Sequence, residues 1–228
     1  MLSSVLVPID RAGWPFIAIA AVVAVALAWL NPSLGWVGAI VTVWCVYFFR
    51  DPPRVTPTRS GLLISPADGV VQRVDRARPP PELQMDTGLR DRIAIFMNVF
   101  DVHVNRSPCE GTVERRTYRP GRFFNASLDK ASEQNERLCL RLAMEDGRDL
   151  ACVQIAGLVA RRIVCRIQEG QRLRVGERLG MIRFGSRVDV YLPEGVAPLV
   201  AEGQRCVAGE TVIADLRAQE PARTGEVR

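Results

Sequence analysis

Lysine and histidine are almost absent from this chain. Lys130 is the one lysine among 30 basic residues, and His103 is the one histidine. Chemistry that needs a lysine amine, such as pyridoxal catalysis or a biotin or lipoyl arm, therefore has a single candidate. Lys130 lies in a polar stretch with no strand-end setting. The six cysteines, at 45, 109, 139, 152, 165 and 206, form no Cys-x-x-Cys pair. A zinc site of Cys/His spacing is not expected, and no metal is predicted. Scattered cysteines of this kind fit a reducing compartment. No sustained heptads occur, which argues against coiled-coil arms. Charge is missing from residues 12–49, which carry no acidic or basic side chain.

What fills that uncharged stretch is two apolar runs, WPFIAIAAVVAVALAWL (14–30) and LGWVGAIVTVWCVYFF (34–49), separated by a turn at Asn-Pro-Ser. Each run spans roughly 25 Å as a helix at about 1.5 Å per residue, slightly short of a hydrocarbon core of about 30 Å. No small-x-small site with a polar mature start follows the first run, so a removable secretion signal is a poor reading. The expectation is a membrane-anchoring helical hairpin over residues 1–49, with tryptophans near the interfaces. Arg11 precedes it, and Arg50 and Arg54 follow. The positive-inside rule then places both ends, and the C-terminal domain, on the cytoplasmic side of the cell membrane. The net charge of +5 suits anionic headgroups, making membrane lipids the expected surroundings. No nucleic-acid partner is expected.

Residues 50–61 read as a basic, Pro-rich linker and 62–228 as one domain. GLLISPADGVVQRV, RIAIFMNVFDVHV, GTVERRTY, RLCLRLAM and ACVQIAGLVARRIVCRI are short apolar or alternating runs punctuated by Gly, Pro and Asp. These are strand signals. Residues 77–91 read as an exposed loop and 120–137 as irregular or weakly helical. EGQRLRVGE (169–177) and EGQRCVAGE (202–210) match at six of nine positions. Such a repeated β-turn-β unit resembles the two halves of the biotinyl/lipoyl carrier fold. The expected fold is mainly β with minor α, a flattened barrel of that kind behind the helical hairpin. A carrier function itself fails, because Lys130 lies outside the repeat.

Between the repeats lies MIRFGSRVDVYLP (181–193), where Gly185-Ser186 interrupts a β-rich run. Glycine in a strand interior loses entropy and offers nothing to pack. The surrounding Phe-Gly-Ser-Arg-Val is not a Gly-x-Ser-x-Gly elbow, so a hydrolase nucleophile is not indicated. FGSRVDVYLP resembles instead the processing segment of the phosphatidylserine decarboxylase family, in its short bacterial and archaeal form. SPADG (65–69), FMNVFDVHVNRSP (96–108), NASLDKASEQNER (125–137) and IAGLVARRIV (155–164) carry the same resemblance in order, over about residues 50–215.

The resemblance implies a proenzyme that cuts itself between Gly185 and Ser186. The Ser186 hydroxyl would attack the Gly185 carbonyl, and elimination and hydrolysis would convert Ser186 into a pyruvoyl cofactor. That carbonyl would form a Schiff base with phosphatidylserine and draw electrons as CO2 leaves, giving phosphatidylethanolamine. Fragments 1–185 and 186–228 would remain together as a non-covalent heterodimer. His103 is the implied base for Ser186, and Asp68 the carboxylate that orients it. Asp101, two residues before His103, is a competing carboxylate. Longer members of the family carry a second histidine where this chain has Arg106, so either one imidazole serves both stages or another group replaces it in one. Arg106 is then a candidate ligand for substrate phosphate or carboxylate. Asn135, Glu136 and Arg137 match the family's Asn-Glu-Arg without a role derivable from sequence. The alternative function is a non-catalytic membrane adaptor with a lipoyl-like domain.

Overall fold

The computed structural model describes residues 7–122, 124, 134–157, 162–183 and 185–226. Its contacts divide the chain into two units, Met1–Pro53 with Phe100–Val102, and Arg54–Val99 with His103–Arg228.

The first unit is a helix pair, α1 (Trp14–Leu30) and α2 (Pro32–Phe48). Asn31 alone joins them; its side chain accepts from the Ser33 amide at 2.8 Å and caps α2, with Pro32 at the first helical position. Gly35 and Gly38 of α2 lie against Ala28 and Ala24 of α1, close enough that a Cβ on either glycine would collide. Small residues at this seam let the backbones meet, as in lipid-embedded helix pairs. Trp14, Trp29 and Trp36 are exposed, as are most of the aliphatic side chains. Arg11–Leu30, a run with mean hydropathy 2.2, is long and apolar enough to cross a membrane; Pro32–Phe48 is shorter. Phe48 and Phe49 are fully buried at the C-terminal end of α2, and Phe100 accepts from the Arg50 guanidinium through its carbonyl at 2.7 Å.

The second unit is mainly β. One antiparallel sheet curls into a half-barrel with strand order β12-β2-β3-β11-β7-β6-β5-β9. Its strands are β2 (Gly69–Ala77), β3 (Arg90–Met97), β5 (Gly111–Arg119), β6 (Arg137–Ala143), β7 (Asp149–Ala156), β9 (Arg172–Leu173), β11 (Ser186–Tyr191) and β12 (Arg205–Cys206). Two small sheets complete the unit: β1 (Leu62–Ile64) with β13 (Val212–Asp215), and β4 (Val104–Arg106) with β10 (Arg178–Ile182) and β8 (Ile163–Cys165). Alternation along the strands points one set of side chains, including Ile95, Val188, Val190 and Cys152, into the main core.

This unit repeats itself, and the repeat is larger than the pair of nonapeptides. Ser65-Pro66 before β2 and Ser107-Pro108 before β5 occupy matching places. Ser65 Oγ donates to the Ala67 carbonyl at 2.7 Å and Ser107 Oγ to the Cys109 carbonyl at 2.8 Å. Ile64 N–H bonds Pro108 O at 2.8 Å, and Arg106 N–H bonds Pro66 O at 2.9 Å. Val71 with Gln204 and Gly203 repeats Val113 with Gln171 and Gly170, bond for bond. The four repeat glycines 170, 176, 203 and 209 all have φ between +75° and +88°. Each half therefore combines an early strand pair with a late turn, and the two halves meet at the central β11·β7 pair.

Two stretches differ from the expectation. Residues 54–60 are not free linker: Arg54 pairs with Asp68, Val55 N–H bonds Glu210, and Arg59 pairs with Asp215. The 77–91 stretch holds a 3-10 turn at Pro81–Leu83, and Leu83 is fully buried in a second apolar cluster with Cys139, Ala151, Val153, Ile155 and Tyr191. Most of 120–137, with Lys130, lies outside the described residues. All six cysteines are free thiols, and all except Cys165 are buried.

Candidate active site

Gly185 ends the connection from β10, and Ser186 opens β11. β11 lies between β3 and β7, so Ser186 sits opposite Met97 on one side and Ala156 on the other. Ser186 is fully buried. Its hydroxyl donates to Met97 Sδ at 3.3 Å.

Both ends of Gly185 are held. Its N–H donates to His103 Nε2 at 3.2 Å. Its carbonyl accepts from the Gly157 N–H at 3.1 Å. Among the described residues a side chain here would meet no heavy atom within 4 Å beyond the flanking residues, but φ is +76°. The dihedral, in preference to crowding, is thus what calls for glycine.

His103 reaches this point because β4 pairs with β10. The His103 carbonyl accepts from Ile182 N–H at 3.3 Å, three residues before Gly185. The ring is fully buried. An Nε2 that accepts a hydrogen bond carries its lone pair, the form in which imidazole can take a proton.

The Asn-Glu-Arg run of 135–137 acquires a role. Asn135 Nδ2 donates to the carbonyls of Ala156 and Phe124, each at 2.7 Å, and Asn135 Oδ1 accepts from Phe124 N–H at 2.9 Å. Glu136 bonds Ala156 N–H through its carbonyl at 2.9 Å and Ile163 N–H through Oε1 at 3.1 Å. These two residues fix the backbone immediately before Gly157. Arg137 points to the other face, pairing with Glu82 at 2.6 Å.

Asp68 is not brought to His103. One of its oxygens pairs with Arg54 at 2.7 Å, the other accepts from Ala208 N–H at 2.7 Å, and among the described residues neither bonds the imidazole. Ala208 precedes Gly209, which abuts the Arg106 side chain. Arg106 is buried and donates to the Gly176 carbonyl at 3.0 Å. Alternation sends it to the opposite side of β4 from Asn105, which contacts Met97. Asp101 is buried in the Phe100–Val102 segment of the first unit. Phe184 is outside the described residues. Gly157, Met97 and Asn105 all fall within the quoted motifs, yet none stands out by residue type; a backbone N–H has no residue signature.

A buried serine after a tethered glycine, an imidazole and a backbone donor thus lie together. The sequence profile of the family described as phosphatidylserine decarboxylase matches residues 41–214. A protein named phosphatidylserine decarboxylase proenzyme from Paramagnetospirillum magneticum is 60% identical over 221 residues, covering 97% of this chain and 92% of its own. Proteins of the same name from Cereibacter sphaeroides and Ruegeria pomeroyi are 58% and 56% identical, covering 100% and 95% of this chain and 98% and 99% of theirs. The chain belongs to the phosphatidylserine decarboxylase family and is an enzyme, a decarboxylase.

Proposed function

We propose that the chain converts phosphatidylserine to phosphatidylethanolamine and CO2 at a pyruvoyl group made from its own Ser186. The observation that carries this reading is the double tether of Gly185, with N–H on His103 and carbonyl on Gly157, directly before a buried Ser186. The names of the relatives supply the substrate.

In self-cleavage the Ser186 oxygen bonds to the Gly185 carbonyl carbon while His103 Nε2 takes the hydroxyl proton. Negative charge grows on the Gly185 oxygen, and the Gly157 N–H already points at it. One such donor is worth about 10²–10³ in rate. The proton passes to the Ser186 nitrogen, the C–N bond breaks, and an ester joins the two parts. Loss of the Ser186 α-proton to a base expels the Gly185 carboxylate. One water then enters and one ammonia leaves, and residues 186–228 begin with a ketone.

The surroundings of Ser186 suit that product: the side chain is fully buried, and its hydroxyl bonds a thioether, a weak acceptor. A pyruvoyl carbonyl supplies an electron sink for the pair released as CO2 departs. His103 is the imidazole that would return a proton to the substrate carbon. Asp68 acts as a positioning residue: with Ala208 and Gly209 it props Arg106, and so the β4 strand that carries His103. Arg106 is read as a clamp on the 176 and 209 turns in place of a substrate ligand.

The two fragments would stay associated, because the smaller carries the central strand β11 between β3 and β7. The matching bonds of the two halves support a flattened barrel of the biotinyl/lipoyl-carrier kind. The apolar helix pair would hold the enzyme on its lipid substrate, and Arg11, Arg50 and Arg54 favour a cytoplasmic catalytic unit. The test is Ser186→Ala. It should leave one uncut, inactive chain on a denaturing gel, where the parent gives two; parental fragments from the variant would overturn the mechanism.

A further inference from the structure

Three side chains that the steps above do not use connect Ser186 to the inside of the sheet. Met97 Sδ accepts from Ser186 Oγ at 3.3 Å and also from Asn105 Nδ2 at 3.6 Å. Asn105 Oδ1 in turn accepts from Gln154 Nε2 at 2.7 Å. All three side chains are fully buried and come from three different strands, β3, β4 and β7. We propose that Met97, backed by Asn105 and Gln154, is a positioning residue for self-cleavage, fixing the Ser186 hydroxyl for its attack on Gly185. The proposal rests on Gly185-Ser186 being the processing site.

The choice of acceptor favours this role. A thioether is a weak acceptor. It gives the hydroxyl a direction while leaving its proton easy to surrender to His103. A carbonyl or carboxylate in the same place would hold that proton more strongly and oppose the transfer. Asn105 pins the flexible Met97 side chain, whose unbranched stem would otherwise sample several rotamers.

The cost of the network argues against a purely structural purpose. Gln154 spends its amide nitrogen on Asn105, but its Oε1 is buried with no partner among the described residues. Its cross-strand neighbours are Val188 and Leu138. An unsatisfied acceptor in an aliphatic layer lowers stability, and a leucine there would carry no such penalty. A polar pair kept on those terms is better explained by what it orients.

The test follows cleavage of the pulse-labelled full chain in cell-free synthesis, for the parent, Met97→Leu and Gln154→Leu, with Ser186→Ala as the uncut reference. Samples are split and treated with hydroxylamine, which cuts an ester and spares an amide. Met97→Leu keeps the volume and removes the acceptor. It should slow cleavage about ten-fold or more, since small misplacements of a reacting atom carry penalties of that order. Hydroxylamine should release no extra fragment, because the attack itself is slowed. Gln154→Leu should slow cleavage while its thermal transition stays level or rises, a combination that a merely structural residue would not give. Parental cleavage in Met97→Leu, or accumulation of hydroxylamine-sensitive ester, overturns the proposal. If Met97→Leu does not fold, Gln154→Leu decides: normal cleavage in that variant overturns it equally. A parent chain that is not cut at 185/186 would bring down the processing reading and this inference with it. A cut parent with equally cut variants would sink this inference alone.

Discussion

The second unit contains nearly the same frame twice, and in the proposed mechanism only one copy carries chemistry. In the first copy, Ser65-Pro66 turns into β2, and the turn at 202–210 closes on it. In the second, Ser107-Pro108 turns into β5 and the turn at 169–177 closes on it in the same way. The copies part at their ends. β13 of the first runs into the chain's terminal residues; β10 of the second runs into Gly185-Ser186. The strand entering the first frame is β1, preceded by ordinary loop, whereas β4 of the second is preceded by His103. They differ again at one carboxylate. Asp68 is tied to Arg54 and Ala208, while its counterpart Glu110 is exposed and pairs with Arg172. In the proposed mechanism the frame thus supplies stability and geometry, and reactivity comes from what is attached where β4 and β10 lie side by side.

The largest break in that comparison comes from His103→Ala. It removes the one imidazole and should slow self-cleavage by about 10²–10⁴, the usual worth of a positioned general base. The measurement is the uncut fraction against time, and cleavage at the parental rate would mean that another group takes the proton.

Asp68 comes next, and two substitutions separate its readings. Asp68→Ala loses both the Arg54 pair and the Ala208 bond and should leave much of the chain uncut. Asp68→Asn keeps an acceptor for Ala208. If Asp68 only props the frame, the asparagine variant should cut at a rate close to the parent. Equal failure of both variants would mean that its charge acts on His103 directly.

A titration tests the two apolar clusters of the second unit. Burial pushes the Cys109 and Cys139 thiols up to about 12 and Cys206 up to about 11, with nearby carboxylates adding to the first two. Burial likewise lifts the Tyr191 hydroxyl to about 12. In the unfolded chain these thiols ionise near 9. Each raised group therefore stabilises the fold in full below that pH, and the contribution fades as pH climbs from about 9 to 12. The thermal transition of the Ser186→Ala chain should fall over that range; a flat profile would contradict the burial of these groups.

The smallest effect discriminates best between the copies. Ser107→Ala deletes the bond to the Cys109 carbonyl, and Ser65→Ala deletes the matching bond to the Ala67 carbonyl together with a longer one from the Ala67 N–H at 3.4 Å. Each bond is worth about 1 kcal/mol, so both stabilities should fall, that of Ser65→Ala by at least as much. Only Ser107→Ala, next to β4, should also slow cleavage, and a matched slowing in both would mean that the frames are functionally equivalent.

Much of this was legible in the sequence, and the exceptions share a cause. Gly185 stood out because a glycine in a strand-like run needs a reason, and its φ of +76° provides one. His103 stood out by being alone. The nonapeptide repeat was visible, but the Ser-Pro turns that complete it were not, because their bonds cross between halves, Ile64 to Pro108 and Arg106 to Pro66. Asp68 read as a partner for His103 because the sequence does not show that Arg54 folds back onto it. Leu83 read as loop because its burial depends on a cluster formed by β6, β7 and β11. The sequence carries local pattern well; pairings between distant segments appear only once the sheet has formed.

The central claim is that Ser186 becomes the pyruvoyl group, and intact mass of the small fragment tests it most directly. The account predicts a fragment of 43 residues, 186–228, blocked to Edman degradation and lighter by one ammonia than the same peptide beginning with serine. An active protein that remains a single chain, or a fragment that begins with an unmodified serine, would contradict it.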